Sequence, residues 1–136
     1  MVTGINHVTF SVEDLQTSFE FYVQVLGCRP VARWAGGAYL RAGEFWITLI
    51  LDEPARKVTP GGYTHIALCV PEDYFDALAE RISRSGARIW QENQTEGTSL
   101  YFTDPDGHKL ELSTSNLVAR IEVDRENPPE GMRFYV

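Results

Sequence analysis

Residues 7–12 read His-Val-Thr-Phe-Ser-Val and lead through Glu13-Asp14 into a helical pattern from Leu15 to Leu26. Residues 65–70 read His-Ile-Ala-Leu-Cys-Val and lead through Pro71-Glu72-Asp73 into a helical pattern from Tyr74 to Ser85. A strand headed by His, an acidic cap and an amphipathic helix therefore occur twice, 58 residues apart. Asp14 and Asp73 suit N-caps, because a carboxylate accepts from the free N–H groups of a first turn. Leu15, Phe19, Tyr22 and Leu26 recur at helical spacing, as do Phe75, Leu78 and Ile82. Gly27 and Gly86 end the two helices.

Three strand-like runs follow each helix. They are Arg29–Trp34, Ala38–Arg41 and Phe45–Leu51, then Ala87–Gln91, Ser99–Thr103 and His108–Ser113. Asp104-Pro105-Asp106-Gly107 is a turn between the last two. The expected class is α+β: two βαβββ modules, one about 1–51 and one about 63–114. A linker about 52–62 joins them, and a terminal helix within Ser115–Arg125 belongs to a tail of about 115–136. The whole chain, 1–136, reads as a single domain.

Composition narrows the function. With 136 residues, 43% hydrophobic and 23% charged, the chain matches an ordinary globular mixture rather than a disordered one. Twelve basic against nineteen acidic residues give −7. That balance disfavours nucleic acid and anionic membrane as partners. There is no 20-residue apolar run and no visible signal peptide, so a cytoplasmic location is expected. Cys28 and Cys69 show no CxxC spacing and read as free thiols.

Strand alternation locates candidate chemistry. Val8, Phe10 and Val12 share one face of the first strand; His7, Thr9 and Ser11 share the other. Ile66, Leu68 and Val70 oppose Tyr63, His65, Ala67 and Cys69. Leu100 and Phe102 oppose Ser99, Tyr101 and Thr103, and Leu110 and Leu112 oppose Lys109, Glu111 and Ser113. The polar faces either meet solvent or line a cavity. Their His, Thr, Ser, Tyr and Ala content, rather than Lys, Glu and Arg, favours a cavity. His7 and His65 hold matching places in the two halves, and with Glu111 they form a two-imidazole, one-carboxylate set suited to a divalent ion. Three ligands leave positions open for substrate. Near the first-half match for Glu111 stand Trp46 and Ile47, so a fourth protein ligand is missing. Cys69, with no base beside it, reads as a small filler rather than a nucleophile, and His108 falls on the helix side as a structural residue. Arg120 divides evenly between a solvated helix face and a site role. Tyr39 and Trp46 divide between pocket lining and core packing.

The chain resembles the vicinal-oxygen-chelate superfamily and, more closely, the FosA-type fosfomycin-resistance thiol transferases. The likeness runs from Gly4-Ile-Asn-His-Val-Thr9 through Ala32-Arg-Trp34, Gly37-Ala-Tyr-Leu40 and Tyr63-Thr-His65 to Gly131-Met-Arg133. The run Glu96–Tyr101 and the stretch Tyr101–Glu111, with its Asp-Pro-Asp-Gly-His, carry most of it. The resemblance implies Mn²⁺ on His7, His65 and Glu111, with Thr9 helping to open an epoxide. Tyr39 is grouped with Thr9 at the reaction, and Trp46 with the substrate. Thr95, Ser99, Tyr101 and Arg120 match phosphonate-holding positions. Asn93, Thr95, Gly97 and Ser99 match a K⁺ loop. The implied reaction adds glutathione or another thiol to fosfomycin, in a homodimer whose modules are exchanged between chains. This chain has Gln91 where the family has Lys, Gln94 where a basic residue is common, and Ser113 where a His is common. Two other readings stand beside this one: a superfamily isomerase or dioxygenase on another small molecule, and a metal-free drug-binding protein.

Overall fold

A computed structural model describes residues 1–53, 61–93 and 98–136. The first half runs β1 (His7–Val12), α1 (Leu15–Glu20), a π-helical turn (Phe21–Val25), β2 (Arg29–Trp34), β3 (Gly37–Ala42) and β4 (Phe45–Leu51). The second runs β5 (Ile66–Cys69), α2 (Glu72–Arg84), β6 (Ile89–Gln91), β7 (Ser99–Thr103) and β8 (Lys109–Ser113), then α3 (Leu117–Glu126). Both halves are thus βαβββ, as the repeat predicts.

Local chemistry explains most boundaries. Asp14 caps α1, its Oδ1 accepting from Thr17 N at 3.0 Å. The first helix does not stay α-helical to Leu26. Its last turn widens, with Leu26 N donating to Phe21 O at 3.1 Å. Asp73 is not a cap: α2 begins one residue earlier, after Pro71, and Glu72 and Asp73 lie in its first turn. Their charges still favour the helix dipole there. Gly27 and Gly86 take φ of 79° and 82°, the left-handed geometry that ends a helix cheaply only for glycine. Asn116 caps α3 by accepting from Ala119 N at 2.9 Å.

Each half forms its own four-stranded mixed sheet, in the orders β1-β4-β3-β2 and β5-β8-β7-β6. The pairs β1/β4 and β5/β8, at one edge of each sheet, are parallel; the rest are antiparallel. Within one chain the two sheets are separate, joined through their helical faces by one core. Phe10, Val12, Phe21, Leu40 and Leu49 from the first half meet Phe75, Ile82, Phe102, Leu110 and Leu112 from the second in that core. Full burial of each such side chain is worth about 1.5–3 kcal/mol.

The Asp-Pro-Asp-Gly-His turn locks the halves. Asp106 accepts from Ser18 Oγ at 3.0 Å and from Glu13 N at 2.9 Å. Asp104 accepts from Tyr22 O–H at 2.7 Å. His108 Nε2 lies 2.9 Å from the Ser11 carbonyl, and its ring packs 5.0 Å from Phe10. His108 is therefore structural, as alternation predicts. Because the helical faces are spent on this shared core, the polar face of each sheet points away from it.

Candidate metal centre

In the second half, β5 and β8 pair in parallel, with Ala67 opposite Glu111. That register sets His65 beside Glu111. The His65 ring is fixed first: Nδ1 lies 2.7 Å from the Tyr63 carbonyl. A carbonyl only accepts, so Nδ1 carries a proton and Nε2 faces outward. Nε2 then stands 3.2 Å from Glu111 Oε1. Glu111 is 7% exposed, and its other oxygen accepts from Ser99 Oγ at 3.2 Å. An imidazole with its far nitrogen tied down, next to a carboxylate held by a hydroxyl, is the arrangement that orients ligands for a divalent ion.

Rings wall this pair. His65 lies 4.9 Å from Tyr63, 5.3 Å from Trp90 and 5.9 Å from Tyr101, centroid to centroid. Trp90 is anchored by Nε1–H donating to Leu110 O at 3.1 Å. Arg120 of α3, half-buried, lines a cavity of about 320 Å³ with Glu111, Cys69 and Ser113. A larger cavity of about 710 Å³ reaches His65 but is lined mainly by aliphatic groups such as Val8, Leu68 and Leu78. Gln91 is tied up: its Nε2 donates to Tyr63 Oη at 3.2 Å.

The first half presents the other candidates on an open face. His7 repeats the logic of His65, with Nδ1 2.7 Å from Asn6 Oδ1, which leaves Nε2 available. Its ring stacks on Trp46 at 4.3 Å, and Tyr39 meets Trp46 edge-on at 5.4 Å. Thr9 is exposed on the same face. Trp46 and Tyr39 are 36% and 38% exposed, so neither belongs to the core.

His7 does not join His65 and Glu111 within one chain. Among the described residues no three His, Cys, Asp or Glu side chains cluster as a metal site. The reason is the shared core: each sheet turns its polar face outward, so one chain cannot close both faces on one ion. Thr95 and Gly97 lie outside the described residues. Asn93 is exposed at the edge of that gap.

Register also corrects the internal match. Thr9, two residues after His7, pairs with Thr48; Ala67, two after His65, pairs with Glu111. Thr48, not Trp46 or Ile47, is the first-half counterpart of Glu111. Across the next strand Tyr39 pairs with Thr48 as Tyr101 pairs with Glu111. Sequence reasoning assigns no site role to Tyr63, Trp90 or Asn6. Tyr63 was visible by alternation on the His65 face; Trp90 and Asn6 act through contacts that spacing does not encode.

Cys28 and Cys69 are both free. Burial pushes the Cys28 thiol up to about 11, which makes it inert. Among the described residues no helix is long and apolar enough to cross a membrane.

Comparison with known proteins places the chain among established relatives. The chain is similar to the glutathione transferase FosA of Serratia marcescens, 46% identical over 136 residues, covering 98% of this chain and 96% of that one. It is 38% identical over 135 residues to the metallothiol transferase FosB of Shouchella clausii, covering 96% and 92%. A variant of the fosfomycin resistance protein FosX of Listeria monocytogenes, solved with Mn(II) and 1S,2S-dihydroxypropylphosphonic acid, matches at TM-score 0.80 and 25% identity, covering 90% and 98%. Residues 4–112 match the model of one family. The chain belongs to the Glyoxalase/Bleomycin resistance protein/Dioxygenase superfamily.

Proposed function

We propose that this protein is a fosfomycin-resistance transferase that uses a divalent metal, Mn²⁺ first, to add a thiol, glutathione first, to the epoxide of fosfomycin or a related phosphonate. The observation that carries the proposal is the His65–Glu111 pair, an imidazole and a carboxylate that converge at 3.2 Å, each held from behind by another polar group. His7 of a second copy would complete the set, so the working unit is a module-exchanged homodimer. The exposed His7–Trp46–Tyr39 face supports this, because stacked aromatic rings of that extent gain from being covered. Nothing in this proposal calls for nucleic acid or membrane.

His7, His65 and Glu111 would hold the ion, which when bound would supply Lewis acidity for epoxide opening. The chain's own residues do the rest. The Thr9 hydroxyl donates to the oxygen that gains charge as the ring opens. Arg120 offers a charged fork to the phosphonate across the cavity it shares with Glu111. Tyr101 and Thr95 add donors for the same group. Ser99 holds the Glu111 carboxylate and so acts through it. Trp46 and Tyr39 wall the approach of the thiolate, which attacks an epoxide carbon while the C–O bond breaks. By the family resemblance, Asn93, Thr95, Gly97 and Ser99 are the proposed K⁺ ligands. The protein works in the cytoplasm, where its thiol substrate is reduced.

The test is product analysis with fosfomycin, Mn(II) and glutathione, cysteine or water alone, followed by ³¹P NMR. A thiol adduct is expected. Release of a vicinal diol in water alone would keep the epoxide-opening site and replace the nucleophile. No product under any condition overturns the proposal.

A further inference from the structure

The two halves differ most sharply at one matched position. In the second half the row across β5, β8 and β7 is Ala67, Glu111, Tyr101. In the first half the row across β1, β4 and β3 is Thr9, Thr48, Tyr39. Thr48 is 5% exposed, and its hydroxyl has no hydrogen-bond partner. Its backbone is spent in the ladder with β1 and β3, so the side chain is not needed to complete the sheet. A buried hydroxyl with nothing to bond costs stability that the isosteric valine would not, and such groups call for a ligand as explanation.

We infer that Thr48 is a specificity-determining contact: it stands where a fourth, carboxylate ligand would stand, and its hydroxyl bonds the substrate oxygen that takes that ligand's place. The inference rests on the metal-dependent reading above. Thr48 shares a face with Thr9 and Tyr39, the two hydroxyl groups already placed at the reaction. A threonine hydroxyl is too weak a ligand to displace substrate oxygen from a divalent ion, yet it donates well to an oxygen held there. A carboxylate at the same place would instead close the open position.

Three variants test this on the full chain. Thr48→Val removes only the hydroxyl. It is expected to keep Mn(II) affinity within about twofold, to melt no lower than wild type, and to raise KM for fosfomycin about three- to tenfold with little change in kcat. Thr48→Ser, which keeps the hydroxyl, loses less. Thr48→Glu is expected to bind Mn(II) at least about tenfold more tightly by calorimetric titration and to lose turnover. Unchanged KM in Thr48→Val overturns the inference, as does a Thr48→Glu chain that gains no Mn(II) affinity. If wild type itself makes no product from fosfomycin, the functional proposal falls separately. The Mn(II) titration of Thr48→Glu still decides where Thr48 points.

Discussion

The polar face of the second half is held by its own side chains, whereas that of the first half is open. His65 and Glu111 are held by Tyr63, Ser99 and a wall of Trp90 and Tyr101. His7, Thr9, Tyr39 and Trp46 stand exposed, and the place of Glu111 is taken by Thr48. The same βαβββ plan thus carries two different tasks. One copy holds negative charge and pays its desolvation with hydrogen bonds; the other presents rings and hydroxyls. Duplication thus leaves a carboxylate at this matched position in one half and a hydroxyl in the other.

The largest expected effect tests the second half. Glu111→Ala should lower Mn(II) retention and turnover by more than about a hundredfold, since even residues that merely orient ligands cost about 10–100-fold. Metal analysis by mass spectrometry beside a turnover assay checks it. An alanine variant that retains full metal would make the two halves equivalent bystanders.

A mixing experiment tests the open half. His7→Ala and Glu111→Ala should each be inactive alone. Unfolded and refolded together, they should regain about a quarter of wild-type activity, because half the dimers are mixed and each of those restores one of two sites. No recovery on mixing would show that His7 does not serve the partner's His65 and Glu111.

The turn that docks one half on the other gives a stability effect. Asp104 accepts from Tyr22 O–H and from the N–H groups of Asp106 and His108. Asp104→Ala leaves those donors buried and should cost about 3 kcal/mol in urea unfolding. Burial, the largest cause, raises the Asp104 carboxyl above its ordinary range, while His108 and then the Tyr22 hydrogen bond pull it back. The folded value lies above the unfolded one. Its contribution is therefore fully present below the unfolded value and is lost as pH rises through the folded one. Asp104→Asn, which cannot titrate, should gain on wild type as pH rises from about 4 to about 7. A gap between the two that is constant over that range would remove the buried charge from the account.

The smallest effect sharpens substrate choice. Gln91→Lys breaks the bond to Tyr63 and adds a cation near the phosphonate side. It should lower KM for fosfomycin about three- to tenfold, the worth of about one hydrogen bond of ordinary net strength, since solvent screens a cation at that edge. No change would mean that Arg120 alone suffices for the phosphonate.

The repeat was legible because strand and helix periods are local properties of a chain. His7-Val-Thr-Phe-Ser-Val and His65-Ile-Ala-Leu-Cys-Val show which side chains face the core and which do not, and the structure keeps both assignments. The caps were half legible. Asp14 caps as expected, but Pro71 moves the start of α2 ahead of Asp73, because a fixed proline φ suits the entry to a helix. The widened turn at Phe21–Val25 left no mark in spacing.

What the amino-acid order alone determined is that two like modules each turn one apolar and one polar face, with His7, His65 and Glu111 on polar ones. Only the tertiary structure decided which of those groups meet. Pairing register, not distance along the chain, put Glu111 beside His65 and Thr48 in the matching place. The shared core then turned the two polar faces outward and kept His7 apart. Register and docking depend on contacts between distant segments, and no local pattern encodes them.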